Sequence, residues 1–498
     1  MENRKIGILF FASVLLAFFA GYQVQTFLVT NEPEPFLDVY AEITEALDRY
    51  YYYDLEQGEK DAAFVAQMEA IVNSYAEQNN DPYTRLSAAA LNVAPTGDES
   101  YVGLGITITT QDIGLRVEDV LFQGPSFTKL YPNDLIVGVM DQTTAIYFED
   151  LDDSTPWTSF LAGEVDEVKS LIVLKPDLNE VTIDITYENI LTPTAYTKSI
   201  DADIAYIKIT EFSGYIQDVT EGTAKVFSDV LNSLEDDILV DETDTLILDL
   251  RNNPGGSLTA LHNQGSQGLI PGITQQLLVR NVETPLFSMI NKIDLQEDYL
   301  GGLSVAKPYD IKVLVNEHSA SAAEVLAAAL SVNGGYELYG NYTYGKDVYQ
   351  NTVLLETINT IRYYLTYTEG NWLYDGDKKV SEYPLDVNLI EQTGYQSLSN
   401  IYYNGDLGID EVSAYLVGFQ EFLNVYFELD GISMIRTDGY FDQRTEDYIL
   451  LFQQEQSLLE TSILDMQTAN HMFDLLKTYQ QDLTYDNQFE QVIDLIRS

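Results

Sequence analysis

The chain has 498 residues, 45% of them hydrophobic and 12% aromatic, which excludes wholesale disorder and predicts several domains. Lys and Arg number 25 against 79 Asp and Glu, and a net charge of −54 repels phosphate backbones, so no nucleic-acid partner is expected. Cysteine is absent, which excludes disulfides, thiol nucleophiles and thiolate metal sites.

Five blocks follow in chain order. Residues 1–35 read as a membrane anchor and linker. Residues 6–30 carry no charged side chain, and about 20 apolar residues span a bilayer as a helix. Arg4 and Lys5 precede the run and Glu32 and Glu34 follow it, so the positive-inside rule keeps the N-terminus in the cytoplasm and sends the rest outside. A cleaved signal peptide is the competing reading, but Phe18 spoils the small-x-small pattern before a cut after Ala20. The expectation is a single-pass protein of the cell membrane with its working part extracytoplasmic. Residues 36–100 read as helical, with Leu37, Tyr40, Ile43 and Leu47, then Phe64, Met68, Ile71 and Val72, at three- and four-residue spacing. Residues 101–191 alternate in short strands punctuated by Gly, Pro and Asn, a small β-rich domain. Residues 192–397 alternate strands and helices, which is α/β. Residues 398–498 read as a small all-α domain with Val412, Tyr415, Leu416, Phe419 and Leu423 on one face. The fold class is therefore multidomain α/β with an N-terminal membrane helix.

Three stretches of the α/β block can carry chemistry. In Asn253-Pro254-Gly255-Gly256 a strand ends in a turn whose N–H groups no side chain screens, as an oxyanion hole requires, although such a sequence also serves as a plain turn. Ser319 and Ser321 open an alanine-rich helix, where a serine is either an N-cap or a nucleophile. Lys346 follows Gly345, with Gln350 four residues on. Of three histidines, His318 lies close enough in sequence to Ser321 to be considered as a base, but a histidine just before a helix is more often a loop residue. Acidic runs such as Asp152-Asp153 lack the spaced ligands of a calcium loop, and no cofactor or metal is expected.

Together these stretches resemble the C-terminal processing peptidases, serine peptidases with a Ser–Lys dyad on a crotonase-like fold. The resemblance makes Ser321, second serine of Ser319-Ala320-Ser321, the nucleophile. Lys346, 25 residues later after Tyr344-Gly345, becomes the general base, and Gln350 orients its amine. Gly255 or Gly256, with Ala322, would supply oxyanion donors. Asp81-Pro82-Tyr83-Thr84 is similar to the family's motif before its PDZ domain, and Gly103-Leu104-Gly105-Ile106 to the PDZ loop that binds a peptide carboxylate. Asn133 stands where the family usually has glycine, Ala323 where many members have a third serine, and Asp347 where glycine is common. Asp438 through Thr445, followed by Phe452-Gln453, resembles a helical peptidoglycan-binding module. The alternative is that those residues only shape its turn and core.

These readings imply a membrane-anchored endopeptidase that selects proteins by their free C-termini. The rival reading is a silent scaffold of PDZ and wall-binding modules. A lysine base must be neutral although its reference pKa is about 10.4. The acidic chain favours the protonated form, so local burial has to outweigh it.

Overall fold

The computed structural model describes residues 57–498, apart from 91–99, 152–155, 217–219, 264–269 and 359–360, together with Ile43 and Glu45. The chain divides into two units, Met1–Leu86 and Ser87–Ser498. In the first, helix α1 (Gln57–Gln78) carries the expected Phe64, Met68, Ile71 and Val72 stripe, and Phe64 and Ile71 stay exposed.

No helix among the described residues is long and apolar enough to cross a membrane. Helix α1 has the length, but Glu59, Lys60, Asp61, Glu69 and Glu77 interrupt it, and each charge in hydrocarbon costs several kcal/mol. Residues 6–30, where the anchor was expected, lie outside the described residues. The expected membrane helix, the membrane as a partner and the single-pass placement are corrected accordingly and carried no further.

The second unit begins with a β-rich block. Strands β1 (Ile106–Gln111), β2 (Gly114–Val120), β3 (Leu135–Asp141), β4 (Val168–Leu174) and β5 (Glu180–Thr186) form an antiparallel sheet in chain order, with β1 at one edge. Asn133 enters β3 at φ +77°, a conformation asparagine tolerates in place of glycine.

The α/β block is built on a sheet of β6 (Ala195–Thr197), β7 (Ile204–Ile209), β8 (Thr245–Asp249), β9 (Asp310–Val315), β10 (Glu337–Gly340) and β13 (Val387–Leu389), in that spatial order. Only β6 runs antiparallel; the other pairs are parallel. All five β8 residues are buried, as a strand covered on both faces should be. Helix α2 (Thr223–Asp237) packs Phe227, Leu231 and Leu234 against this core. An antiparallel hairpin, β11 (Val348–Ile358) and β12 (Ile361–Leu373), follows β10.

The last block holds helices α4 (Leu416–Tyr426), α5 (Gln443–Glu455), α6 (Met466–Gln481) and α7 (Asn487–Arg497). Helix α4 buries Leu416, Phe419 and Leu423 as expected, but Val412 precedes it and is exposed. These helices do not close a separate core. Phe419, Phe422, Phe452, Phe473 and Leu476 belong to one apolar cluster with Leu104, Leu115, Val117, Ile136 and Tyr187 of the β-rich block. Phe489, Val492 and Ile493 of α7 pack instead on Tyr206, Ile247, Leu314 and Tyr339 of the α/β sheet. The expected small all-α block thus shares its core with its neighbours. The motif residues of this block serve its fold: Asp442 caps α5 by accepting the Thr445 N–H at 2.9 Å. Gln453, fully buried, donates to Thr461, Ile463 and Thr468.

Candidate active site

Two parallel neighbours create the site. Strands β8 and β9 pair in the register Asp249↔Leu314, so the segments leaving their C-terminal ends emerge side by side, where open α/β sheets build their sites. The first becomes the Asn253–Gly256 turn. The second runs through Ser319 and Ala320 to Ser321, which opens helix α3 (Ala322–Ala328).

The two serines do different things. Ser319 is completely buried; its Oγ donates to the Leu250 carbonyl at 2.8 Å and accepts the Asn316 N–H at 2.9 Å. It ties one strand end to the other. Ser321 is partly exposed and adopts φ +56°, ψ −117°, a strained combination for a side-chain-bearing residue.

The glycine turn lies directly against it. A Cβ added to Gly255 would stand 2.8 Å from Ser321 Cβ and 3.0 Å from the Ala322 nitrogen, so only glycine allows this approach at φ +100°. The Gly255 N–H is already given to Asn253 Oδ1 at 2.8 Å. Gly256 is bridged in parallel to Phe212 through its neighbours: Phe212 N–H donates to the Gly255 carbonyl and Ser257 N–H to the Phe212 carbonyl. That pattern turns the N–H of Gly256 itself away from the bridge. The Ala320 N–H donates to the Asn253 carbonyl at 3.0 Å and fastens the turn to the serine segment.

Lys346 arrives from the far side. Its Nζ donates to Gln350 Oε1 at 2.8 Å, bringing together two residues singled out in the sequence. The Gln350 amide nitrogen is buried without a partner among the described residues. The lysine backbone is held at both ends: its carbonyl accepts the Trp372 indole N–H at 2.7 Å, and its N–H donates to Glu324 Oε2 at 2.9 Å.

Glu324 is the residue that sequence reasoning missed. Fully buried, its carboxylate accepts the Ser321 N–H at 2.9 Å, the Lys346 N–H at 2.9 Å and the Gly345 N–H at 2.6 Å. One side chain thereby joins the serine segment to the lysine segment. Burial pushes its pKa up, and the hydrogen bonds it accepts pull the other way without cancelling that. The available signal was Ser321-x-x-Glu324, the spacing of a capping box; nothing local announces its second partner.

His318 is exposed and lines a polar cavity of about 810 Å³ with Lys208, Asp249 and Arg251. Within that cavity Asp249 accepts from Tyr206 at 2.9 Å and from Lys208 at 3.1 Å. Burial would raise the Asp249 carboxyl, but Arg251 and Lys208 outweigh it and hold the group well below the usual carboxylate range. The Gly103-Leu104-Gly105-Ile106 loop belongs to the β-rich block, where Leu104 and Gly105 are buried and the Gly105 carbonyl accepts the Leu121 N–H at 2.9 Å.

A helix start bearing Ser321, a glycine turn against it and a lysine segment joined to it through Glu324 meet on one sheet end. The sequence profile of peptidase family S41 matches residues 203–383, which contain all three. This stretch of the chain is similar to that family. The chain's relatives include the carboxy-terminal processing protease CtpB of Bacillus subtilis (strain 168), 24% identical over 438 residues, covering 86% of this chain and 83% of that protein. A probable CtpA-like serine protease of Staphylococcus aureus (strain N315) is 24% identical over 445 residues, covering 86% and 80%. Among solved structures, a photosystem II D1 C-terminal processing protease matches 70% of this chain and 86% of its own length, with 20% identity and a TM-score of 0.37. The family match marks residues 203–383 as similar to S41 peptidases, and two curated relatives are described as carboxy-terminal processing proteases.

Proposed function

We propose that this chain cleaves polypeptides chosen through their free C-termini, with Ser321 as nucleophile, Lys346 as general base and Gln350 orienting the amine. The observation that carries the reading is the Glu324 carboxylate, which accepts N–H groups from both Ser321 and Lys346 and so sets the two segments against each other. Neutral Lys346 takes the Ser321 proton as Oγ attacks the scissile carbonyl, then returns it to the leaving amine. The N–H groups of Gly256 and Ala322 face the developing oxyanion; Gly255 is less suited, since its N–H is committed to Asn253. Gln350 fixes the rotamer of the lysine.

Recognition falls to the block 101–191. The loop Gly103, Leu104, Gly105 and Ile106 supplies backbone N–H groups for a terminal carboxylate, and β1, at the sheet edge, accepts the preceding residues as an added strand. Residues 192–397 form the peptidase core in this reading, and 398–498 the helical block that braces both. The rival, a silent scaffold, has no need for a shared carboxylate between two loops. The test is digestion of an unstructured protein by the purified chain, wild type beside Ser321→Ala. Loss of cleavage in the variant is expected. Equal cleavage by both would remove Ser321 from the mechanism.

A further inference from the structure

Behind the glycine turn lies a buried ionic cluster whose parts come from the middle and from the C-terminal end of the chain. The Arg251 guanidinium is almost fully buried. Its Nη2 meets Asp249 Oδ2 at 2.7 Å and Asp486 Oδ2 at 2.7 Å; its Nη1 donates to Asp486 Oδ1 at 3.0 Å and to Gln488 Oε1 at 3.1 Å. Lys208 donates to Asp249 at 3.1 Å and to the Arg251 carbonyl at 2.6 Å. Two cations, Lys208 and Arg251, thus face two carboxylates, Asp249 and Asp486, and the cluster is neutral.

Arg251 sits two residues before Asn253, whose carbonyl holds the turn against the serine segment through the Ala320 N–H, while its side chain accepts the Gly255 N–H and donates to the Ile209 carbonyl. The intervening Asn252 takes φ +59° and exchanges hydrogen bonds of 2.8 Å with Asn316. The turn is therefore fixed in front by Asn253 and Asn316, and behind by the guanidinium. Half of the charge that holds that guanidinium comes from Asp486, at the start of α7. We propose that Asp486 is a positioning residue for the oxyanion turn, acting through Arg251, so that the C-terminal helix is part of the catalytic apparatus rather than an appendage. This rests on the assignment of Ser321 and the Gly256 turn made above. With the Asp486 charge gone, Asp249 must serve both cations alone. The guanidinium is then drawn toward Asp249 and carries the backbone of 251–253 with it.

The plainer role for Asp486 is an N-cap, because its Oδ1 also accepts the N–H groups of Gln488 and Phe489 at 3.2 Å each. Asp486→Asn separates the two, since asparagine caps a helix as well as aspartate but carries no charge. The experiment uses the full chain and measures kcat and KM on an unstructured protein, the rate of serine labelling by a fluorophosphonate, and the unfolding midpoint. Asp486→Asn is expected to lower kcat and the labelling rate at least tenfold while KM moves less than twofold. Asp486→Glu, which restores the charge, should recover part of the rate. A folded Asp486→Asn chain with wild-type kcat overturns the proposal. Should that variant fail to fold, Arg251→Lys keeps the positive charge and leaves the cap but loses the fork that joins Asp249 to Asp486, and a labelling rate unchanged from wild type then overturns it. Ser321→Ala runs alongside: labelling that survives there refutes the nucleophile and not the role of Asp486.

Discussion

Replacing Glu324 by glutamine exchanges one carboxylate oxygen for an amide nitrogen and tests the join between the Ser321 and Lys346 segments. The carboxylate accepts three backbone N–H groups, two on Oε2 and one on Oε1. Glutamine offers a single oxygen. If that oxygen faces Ser321 and Lys346, the amide NH2 is turned against the Gly345 N–H, donor to donor; the other orientation loses both remaining bonds. At least one charge-assisted bond disappears, worth about 1.5–3 kcal/mol. If that energy was holding serine and lysine in register, kcat falls by about 10- to 150-fold at 1.36 kcal/mol per decade. Stability should respond less. Burial disfavours the charged Glu324, as its raised pKa shows, and the neutral amide relieves that penalty while the bond is lost. The assay is kcat on an unstructured protein, with the unfolding midpoint measured on the same preparation. A Glu324→Gln chain that stays folded and keeps kcat within twofold of wild type would refute the reasoning.

Lys346→Arg should be inactive at every usable pH, because arginine stays protonated and cannot accept the serine proton; turnover by this variant would exclude lysine as the base. Asp474→Asn should raise the unfolding midpoint near pH 8 and have no effect near pH 4. Burial pushes the Asp474 carboxyl up to about 6, against the opposing hydrogen bond from Tyr131, and its Oδ1 is buried without a partner among the described residues. A carboxyl raised on folding contributes stability that is complete below its unfolded pKa and is lost as pH rises through about 6. A midpoint gain of the same size at both pH values would contradict this account.

The local parts of the site were legible because their signals are local. A Pro-Gly-Gly turn after an apolar strand, two serines before an alanine-rich helix, and a lysine with a glutamine one helical turn's spacing beyond it all read from adjacent residues. What stayed hidden is non-local. The Ser321-x-x-Glu324 spacing announces a capping box, yet the same carboxylate reaches Gly345 and Lys346, 21 and 22 residues away. Arg251 and Asp486 are separated by 235 positions, and no periodicity links them. The C-terminal helices read as a domain because amphipathic spacing shows that a face is buried, but not against what. Here Phe452 and Phe473 share a cluster with Val117 and Ile136. Val412 was placed on a helix face by the same spacing, but the helix starts only at Leu416.

That shared core dictates how recognition of a C-terminus can be tested. Removing the β-rich block would strip Leu115, Val117 and Tyr187 from the cluster that also packs Phe419 and Leu476, and would break the ion pair of Asp119 with Lys477 at 2.7 Å. Loss of activity after such a deletion would report a damaged fold, not a missing reader. The informative perturbation is on the ligand. A matched peptide ending in apolar residues is compared with its C-terminal amide as a competitor of cleavage by the whole chain. A free carboxylate pays to leave water, and loop N–H groups that meet it return charge-assisted bonds worth about 1.5–3 kcal/mol. Amidation should therefore weaken competition by about 10- to 150-fold. A peptide with an acidic tail should compete poorly at low salt because the chain carries a net charge of −54. That deficit should shrink as salt shortens the screening length toward about 3 Å at 1 M. Equal competition by the free and amidated peptides would remove C-terminus reading from Gly103–Ile106 and leave the block as a brace for the helices.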